Sequence, residues 1–519
     1  MSKVKPAGKA VIILVIVLAL YFGYQLANNA GWIDKIAPQG STSTTAKLSD
    51  DVKQSIEDGT PFVTVCFNTW LGFSGGILYN GGTEASKESR YYTEQGVLVQ
   101  FVLMDDFEAS RNAFRSGDID LMWTTVDSYT TETDGLKEFE PQFIFQIDWS
   151  RGGDAVVVRR GINTVNELKG KKIACALGAP SHSLILNVLE AAGIDYGDVE
   201  IIAMPTAIQA ADAFKAGQVD GAVVWAPDDD VCIEAVPGSK KLFTTKEATN
   251  IIADGFYAKK AWLSDNKDTA MKVAAGFMVG NAEINNDSAA KQRAVDIMSI
   301  ALGQKAEFCQ NGIENVRLTT VGDNMNFFGL TSGYTGVTAE NLYLRMATAY
   351  QQIGYLNSPP PSWSSVKDGT IIPALKQKLT DVGNQAPESI GKFTKLANSE
   401  KLEVKSSKAL TVNFATGSAS LNDDAKYQID IGFAPTAQQF ARMHIRVSGH
   451  TDNVGARQMN IDLSRARAQA VVNYLVDQYG LSLNRFIIVG YGPDQPVDDN
   501  STEEGRAANR RTQFELVDE

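Results

Sequence analysis

Cysteine and histidine are scarce in this chain, at four and three among 519 residues, and their spacing removes several chemistries. Cys66, Cys175, Cys232 and Cys309 form no C-x-x-C pair, which excludes the usual zinc-ribbon and thiol-redox arrangements. His182, His444 and His450 stand far apart, so no set of converging His and carboxylate ligands is expected. The expectation is no metal and no cofactor. Net positive charge is lacking too: 48 Lys and Arg against 61 Asp and Glu leave −13, a field that repels phosphate backbones and argues against a nucleic-acid partner. What is present is an ordinary globular composition, 44% hydrophobic and 21% charged. The length suits about three folding units at ~150 residues each.

Lys3, Lys5 and Lys9 lie in a basic segment, 1–9, ahead of an uncharged stretch, 10–27 (AVIILVIVLALYFGYQLA). That stretch is expected to be a transmembrane anchor, and the basic flank places the rest of the chain outside the cytoplasm. A cleaved signal peptide is the alternative, although its apolar region would be shorter and end in an A-x-A-like site. No cysteine precedes Cys66 to carry a lipid. Residues 28–60, polar and rich in Ser and Thr, read as a tether.

Between 61 and 383 short apolar runs bounded by Gly and Asp alternate with amphipathic stretches, as in an α/β sheet with crossover helices. Runs 61–67, 97–103, 154–160, 171–178, 199–205 and 221–227 read as strands. An internal echo links two halves: Ala113-Phe114-Arg115-Ser116-Gly117-Asp118-Ile119-Asp120 returns as Ala213-Phe214-Lys215-Ala216-Gly217-Gln218-Val219-Asp220. Each copy reads as a helix stopped by glycine, a turn and a buried strand, so two similar lobes are expected to face each other across a cleft. The four cysteines could also pair as two disulfides, with no pairing favoured.

Ser150-Arg151-Gly152-Gly153-Asp154 with the following valines, Asn163-Thr164-Val165-Asn166-Glu167-Leu168-Lys169-Gly170, and Gly178-Ala179-Pro180-Ser181-His182-Ser183 carry a resemblance. The region resembles periplasmic solute-binding proteins of the nitrate, sulfonate and taurine type. The resemblance implies a type II bilobal clamp that closes on a small solute, expected to be anionic and delivered to a membrane permease or reported to a sensor. Ligand contacts in such clamps come from strand ends and helix N-termini. Three loops are expected to supply them: Asn68, Thr69 and Trp70; Thr124, Thr125 and Asp127; and Gly178, Ser181 and Ser183 with their amides. Trp225 could wall off the ligand. The plainer alternatives make Ser181 an N-cap, Trp225 a core residue and His182 a solvated loop side chain.

Residues 384–407 mix Gln, Pro, Glu, Ser and Lys without apolar period and read as a linker. From 408 to 519 strand and helix alternate again: ALTVNFA, a helix near 422–441, HIRVSGHT, a helix from about Asp462 to Tyr479, FIIVGYG and RTQFELV. In the long helix Leu463, Ala466, Ala470, Val471, Tyr474 and Leu475 share a face expected to pack on the sheet. The blocks FATGSASL (414–421), GHTDNVG (449–455), NIDLSRARA (460–468), Gly490-Tyr491-Gly492 and Asn509-Arg510-Arg511 closely resemble the OmpA-like peptidoglycan-binding domain. The resemblance implies that Asp452 and Arg467 grip the zwitterionic end of the diaminopimelate side chain, carboxylate to ammonium and guanidinium to carboxylate. It further implies that Thr451, Asn453 and Asn460 complete the hydrogen bonds, and that Asn509 and Arg510 belong to the site or orient its loop. A bland alternative pairs Asp452 with Arg467, caps the helix with Asn460 or Asp462 and leaves His450 second to the site or solvated.

Together these readings predict an α/β chain with a transmembrane helix, a bilobal binding domain and an OmpA-like domain. Such a protein would be a single-pass inner-membrane receptor with its bulk in the periplasm, or a wall-associated periplasmic protein if the amino terminus is cleaved. A scaffold that couples membrane to peptidoglycan, with the bilobal domain as spacer, is the second functional reading.

Overall fold

The computed structural model describes residues 48–389, 393–396, 402–415 and 417–518. The basic segment 1–9, the expected membrane span 10–27 and most of the tether lie outside the described residues, as does the middle of the expected linker. Among the described residues no helix is long and apolar enough to cross a membrane. The described residues up to Asp58 stand apart as a unit of their own and hold the helix Asp50–Glu57. Everything from Gly59 onward is a second unit built on three sheets.

The first sheet contains β1 (Phe62–Phe67), β2 (Leu98–Leu103), β3 (Leu121–Thr125), β4 (Gln142–Ser150), β10 (Ala253–Ala258) and β11 (Val316–Leu318), in the order β11-β4-β10-β3-β1-β2. A second sheet has the order β7-β6-β8-β5-β9, from β5 (Asp154–Val158), β6 (Lys172–Ala176), β7 (Glu200–Met204), β8 (Gly221–Trp225) and β9 (Lys240–Thr244). All six expected strands fall on those runs with one or both ends trimmed. The sheets are mixed: β10 runs antiparallel to β3 and β4, and β5 antiparallel to β8 and β9. The chain leaves the first lobe along β4 and returns along β10, so its crossing strands enter each sheet against the local direction.

The two copies of the echo do the same work. Each follows a helix, Phe107–Ser116 or Ala207–Lys215, closed by a glycine at positive φ, Gly117 or Gly217. Asp120 then accepts from the backbone N–H of Thr64 at 2.9 Å, and Asp220 from that of Lys172 at 2.9 Å. In both lobes the repeated aspartate thereby ties the strand it precedes to a neighbouring strand.

The two crossings are stapled together by short side chains. The Ser150 hydroxyl lies 2.8 Å from that of Thr245 and donates to Asp154 at 2.6 Å, while Thr245 Oγ1 accepts from the N–H of Gly152 at 2.9 Å. All four cysteines are free and buried, so no disulfide crosses either lobe. Burial pushes the Cys66 thiol up to about 12, the behaviour of a packed hydrophobe.

The third sheet, β12-β15-β13-β14, belongs to the carboxyl-terminal domain: β12 (Glu403–Leu410), β13 (His444–His450), β14 (Phe486–Gly492) and β15 (Thr512–Asp518). Two expectations need correction. The first strand is not ALTVNFA but begins at Glu403, inside the expected linker, where antiparallel pairing with β15 outweighs a polar sequence. The long helix is Arg457–Tyr479, five residues longer at its start, so Asn460 and Asp462 sit inside it and Ala456 is the N-cap.

Its packed face is also rotated, running through Ser464, Ala468, Val471, Val472 and Leu475, while Ala466 is exposed. Glycines on the sheet explain this. A Cβ at Gly449 would lie 2.1 Å from the Ser464 carbonyl oxygen, and one at Gly490 2.6 Å from Arg465 Cβ and N. The backbones touch there, which selects small residues over the larger apolar ones nearby.

This domain packs on the second lobe. Phe243 meets Phe440 edge to face at 5.4 Å, and the Asn250 N–H donates to Gln439 O at 3.0 Å. Asn166 and Ser407 exchange two 3.0 Å bonds. Arg485, fully buried, donates to the carbonyls of Met443, Ala437 and Phe440 at 2.6–2.7 Å and so fixes the segment that carries this contact. Glu388 accepts from Arg151 of the crossing at 2.8 Å and from Arg442 of the carboxyl-terminal domain at 2.7 Å, with Arg317 at 3.8 Å.

Gly449→Ala is expected to destabilise the carboxyl-terminal domain by about 1–3 kcal/mol, the usual cost of overpacking. Chemical denaturation followed by circular dichroism measures this, and an unchanged midpoint would contradict the close approach of helix and sheet.

Candidate functional site

Between the lobes lies a cavity of about 520 Å³. Its first-lobe wall contains Asn68, Thr69, Trp70, Asp105, Phe107, Trp123 and Thr125; the crossing supplies Asp154, Ile252 and Asp254; the second lobe supplies residues 176–180, 205–208 and 225–228. Six of the expected solute contacts therefore line it: Asn68, Thr69, Trp70, Thr125, Gly178 and Trp225.

Local bonds fix this wall. Asn68 Oδ1 accepts from the Trp70 N–H at 2.9 Å, and Asp105 accepts from both the N–H and hydroxyl of Thr69 at 2.7 Å. Trp70 donates its indole N–H to Asp148 at 3.0 Å and lies on Gly153, where a Cβ would fall 2.0 Å from its ring. Phe107 stands edge to face on Trp123 with centroids 4.8 Å apart. Arg111 supports both rings but does not line the cavity; it is buried in a pair with Glu132 at 2.7 Å.

The other four expected contacts are turned away. Thr124 donates to Glu132 at 2.7 Å, and Asp127 is buried with its Oδ1 3.3 Å from the N–H of Ala253. The third loop is not a loop past Ala179: the helix Pro180–Ala191 starts there with Ala179 as N-cap, so Ser181 is not the cap. Ser181 is fully buried and its hydroxyl finds no partner among the described residues. Ser183 bonds Tyr350 at 2.9 Å, under the helix Ala339–Gln352 that covers this first turn. His182 is buried, not solvated. It accepts from the Gly178 N–H at 3.1 Å and lies 3.1 Å from Tyr196 Oη, and burial pushes it down to about 4. The Gly178 amide is thereby used, and Pro180 has none to offer.

The charged side chains of the lining are all of one sign. The lining holds four carboxyl groups, Asp105, Asp154, Asp228 and Asp254, and no Lys, Arg or His among the described residues that form it. Burial pushes Asp154 and Asp127 up to about 7. Burial raises the neighbouring carboxyls of Asp148 and Asp254 as well, and repulsion from Asp148 and Asp154 adds to the rise at Asp254. Asp228, one of the polar groups just past the second echo strand, lines the cavity, whereas Asp105, Phe107, Trp123, Asp154 and Asp254 escaped the sequence reading. The strand-end rule reaches Asp105, which follows β2, but nothing in the sequence marks the carboxyls that fold topology gathers at the crossing.

In the carboxyl-terminal domain the loop after β13 brings Asp452 to Arg510. Arg510 donates to Asp452 at 2.8 Å and to Glu503 at 3.0 Å, so Asp452 pairs with Arg510 instead of Arg467. Arg467 donates to the carbonyls of Ser418 at 3.0 Å and Ala415 at 3.3 Å, and its guanidinium lies 5.0 Å from the Phe414 ring. Its charge still feels Asp452 and Arg510, while burial lowers it from the usual arginine value. Thr451 donates to the Asp452 carbonyl at 2.8 Å, Asn460 to Val454 O at 3.0 Å, and Asn509 accepts from Val497 at 2.7 Å. These three shape the loops around the charges. Asn453 is exposed in the same loop. His450 is buried, stacks on Tyr491 at 5.4 Å and has no hydrogen-bond partner for either ring nitrogen among the described residues, so it is not solvated.

Residues 82–287 match the NMT1/THI5 like family, and residues 413–510 match the OmpA family. The chain joins an NMT1/THI5-like region to an OmpA-family domain. Curated relatives of the OmpA-family domain include outer membrane protein Omp38 of Acinetobacter baumannii, 40% identical over 102 residues, which are 20% of this chain and 28% of that protein. Peptidoglycan-binding protein ArfA of Mycobacterium bovis is 36% identical over 103 residues, 20% of this chain and 31% of its own length. The chain thus spans under a third of either relative. Among solved structures, the periplasmic aliphatic sulphonate binding protein SsuA from Escherichia coli aligns at 17% identity and a TM-score of 0.46, over 59% of this chain and 98% of its own. The periplasmic nitrate-binding protein NrtA from Synechocystis aligns at 14% and 0.45, over 64% and 92%.

The raised value of Asp154 makes stability pH-dependent. The ordinary value is 3.8 and the folded one about 7, so the folded chain holds a proton that the unfolded chain releases, and stability falls as pH rises from about 4 through about 7. Asp154→Asn removes this loss. Thermal melts of both proteins should converge near the acid end of that range, with the variant increasingly the more stable above it; a pH-independent difference would contradict the burial of this carboxyl.

Proposed function

We propose that the chain is an envelope receptor: the interlobe cavity captures a small solute, and the OmpA-family domain binds peptidoglycan. The observation that supports the first half is the aromatic-walled cleft between two lobes joined by stapled crossings, an arrangement suited to closure by hinge motion. Six residues read from the sequence, Asn68, Thr69, Trp70, Thr125, Gly178 and Trp225, form part of its wall.

The second half is supported by the cluster of Asp452, Arg467 and Arg510, and by the likeness to a relative named for peptidoglycan binding. A diaminopimelate end presents an ammonium and a carboxylate together. Asp452 offers a carboxylate to the first, and the two guanidinium groups face the second. Arg510 already holds Asp452 in place, so ligand binding exchanges one partner of a formed network and does not create an isolated buried charge. In this reading the segment 10–27 anchors the chain in the inner membrane, with the tether and both domains in the periplasm, and a permease or sensor receives the solute signal.

Asp452→Ala is expected to abolish co-sedimentation with purified diaminopimelate-type cell wall. Arg467→Lys should weaken it by about tenfold or more, because an ammonium cannot reproduce the guanidinium fork. Retained sedimentation of the Asp452→Ala protein, with its melting curve unchanged, would reject the assignment.

A further inference from the structure

We propose that the solute of the interlobe cavity is a small organic ammonium ion carrying apolar substituents. The inference rests on reading that cavity as a solute site. Charge is the first argument. Asp105 and Asp228 stand at the two lobe walls and Asp154 and Asp254 at the crossing, with no cationic side chain among the described lining residues to answer them. An anion placed there would be desolvated against carboxyl groups, whereas a cation meets the one charge the wall supplies.

The second argument is the chemistry of the remaining wall. Trp70, Trp123, Trp225 and Phe107 contribute aromatic surface, and aromatic faces attract cations through the ring quadrupole. Weakly hydrated alkylammonium heads gain most, because they give up little water on entering. The wall hydroxyls are already engaged: Thr69 with Asp105, Thr125 with Ser128 at 2.7 Å, and Thr206 with the N–H of Gln209 at 3.2 Å. These bonds leave a neutral polyol the side-chain amides of Asn68 and Gln304, the Thr206 hydroxyl and the carboxyl groups, and none of them needs a charge on the ligand. A bare metal ion fits poorly, since among the described residues no group of three or more His, Cys, Asp and Glu side chains is arranged to hold one, and the space, about 520 Å³, is that of an organic molecule.

Such a ligand also resolves the state of the crossing. Asp127, Asp148, Asp154 and Asp254 face one another there, with Asp229 near Asp154 and Arg151 near Asp148 as the other charged groups. Without a cation Asp127, Asp148 and Asp154 hold protons up to about pH 7, and burial raises Asp254 as well. An entering ammonium displaces a proton, so affinity rises as pH increases through that value.

Isothermal titration of the full chain tests this with choline and phenethylamine, set against methanesulfonate and against dimethylbutanol, the uncharged carbon isostere of choline. Saturable binding of either cation is expected, about tenfold or more tighter than the isostere and tightening with pH. Trp225→Ala and Asp228→Asn, both at the accessible wall, should each weaken it by about tenfold. Asp254→Asn should do the same, and the two wall variants keep the test intact if that buried change unfolds the chain. Preferential binding of methanesulfonate or the isostere would overturn the cationic assignment while leaving the solute reading standing. A cation that binds equally to all three variants would place it outside the cavity and also overturn the assignment. No binding of any probe to a chain that still melts cooperatively would overturn the solute reading, and this inference with it.

Discussion

The desolvation of carboxyl groups at the crossing between the lobes governs the rest of the binding region. Asp127, Asp148, Asp154 and Asp254 come from three strands and a helix, and each is removed from water. Charged and unpaired, such groups would cost more than the crossing could recover from its few hydrogen bonds. The fold raises their affinity for protons, bonds them to Ser150, Trp70 and the Ala253 amide, and leaves two of them facing the cavity. The position of Trp70 follows directly, since its indole N–H is committed to Asp148 and its ring to the bare backbone of Gly153. Substitution of Gly153 would therefore move the aromatic wall and the carboxyl support together.

Sequence reading succeeded where one residue determines one local geometry. The echo ending in Asp120 and Asp220 was legible because a helix end and a glycine at positive φ are local, whereas the bond each aspartate makes, to Thr64 or Lys172 on a neighbouring strand, appears only in the structure. The blocks of the OmpA-family domain were legible for a similar reason, being glycine turns and charged loop residues at fixed spacing. Failures occurred where distant segments decide. Ser181, His182 and Ser183 read as a polar loop, but the helix Ala339–Gln352 covers them from more than a hundred residues away. The polar run 403–407 read as linker until its pairing partner, β15, supplied the ladder. The sign of the cavity's charge was invisible for the same reason, because its acids are contributed by separate strand ends.

The carboxyl-terminal domain illustrates a different limit. Leu463, Ala466 and Ala470 share a helical face, yet the helix presents Ser464 and Ala468 to the sheet. Periodicity identifies a face by hydrophobicity, while contact here is set by how closely two backbones approach over Gly449 and Gly490. The charged loop beside that contact inherits its rigidity. Asp452 follows β13 directly, and Arg467 projects from the helix one turn beyond Ser464, so the spacing of the two charges is set by the glycine-mediated contact.

Glu388 gives the separate parts a common mechanical point. A single carboxylate holds Arg151 at the crossing, Arg442 in the carboxyl-terminal domain and, at longer range, Arg317 of the first lobe. Arg151 and Arg317 belong to one sheet edge, since β11 pairs with the end of β4 and the Arg151 N–H donates to Asn315 O at 2.8 Å. Glu388 therefore ties that edge, as one piece, to Arg442, and the carboxyl-terminal domain is held by the first sheet as well as by the second lobe.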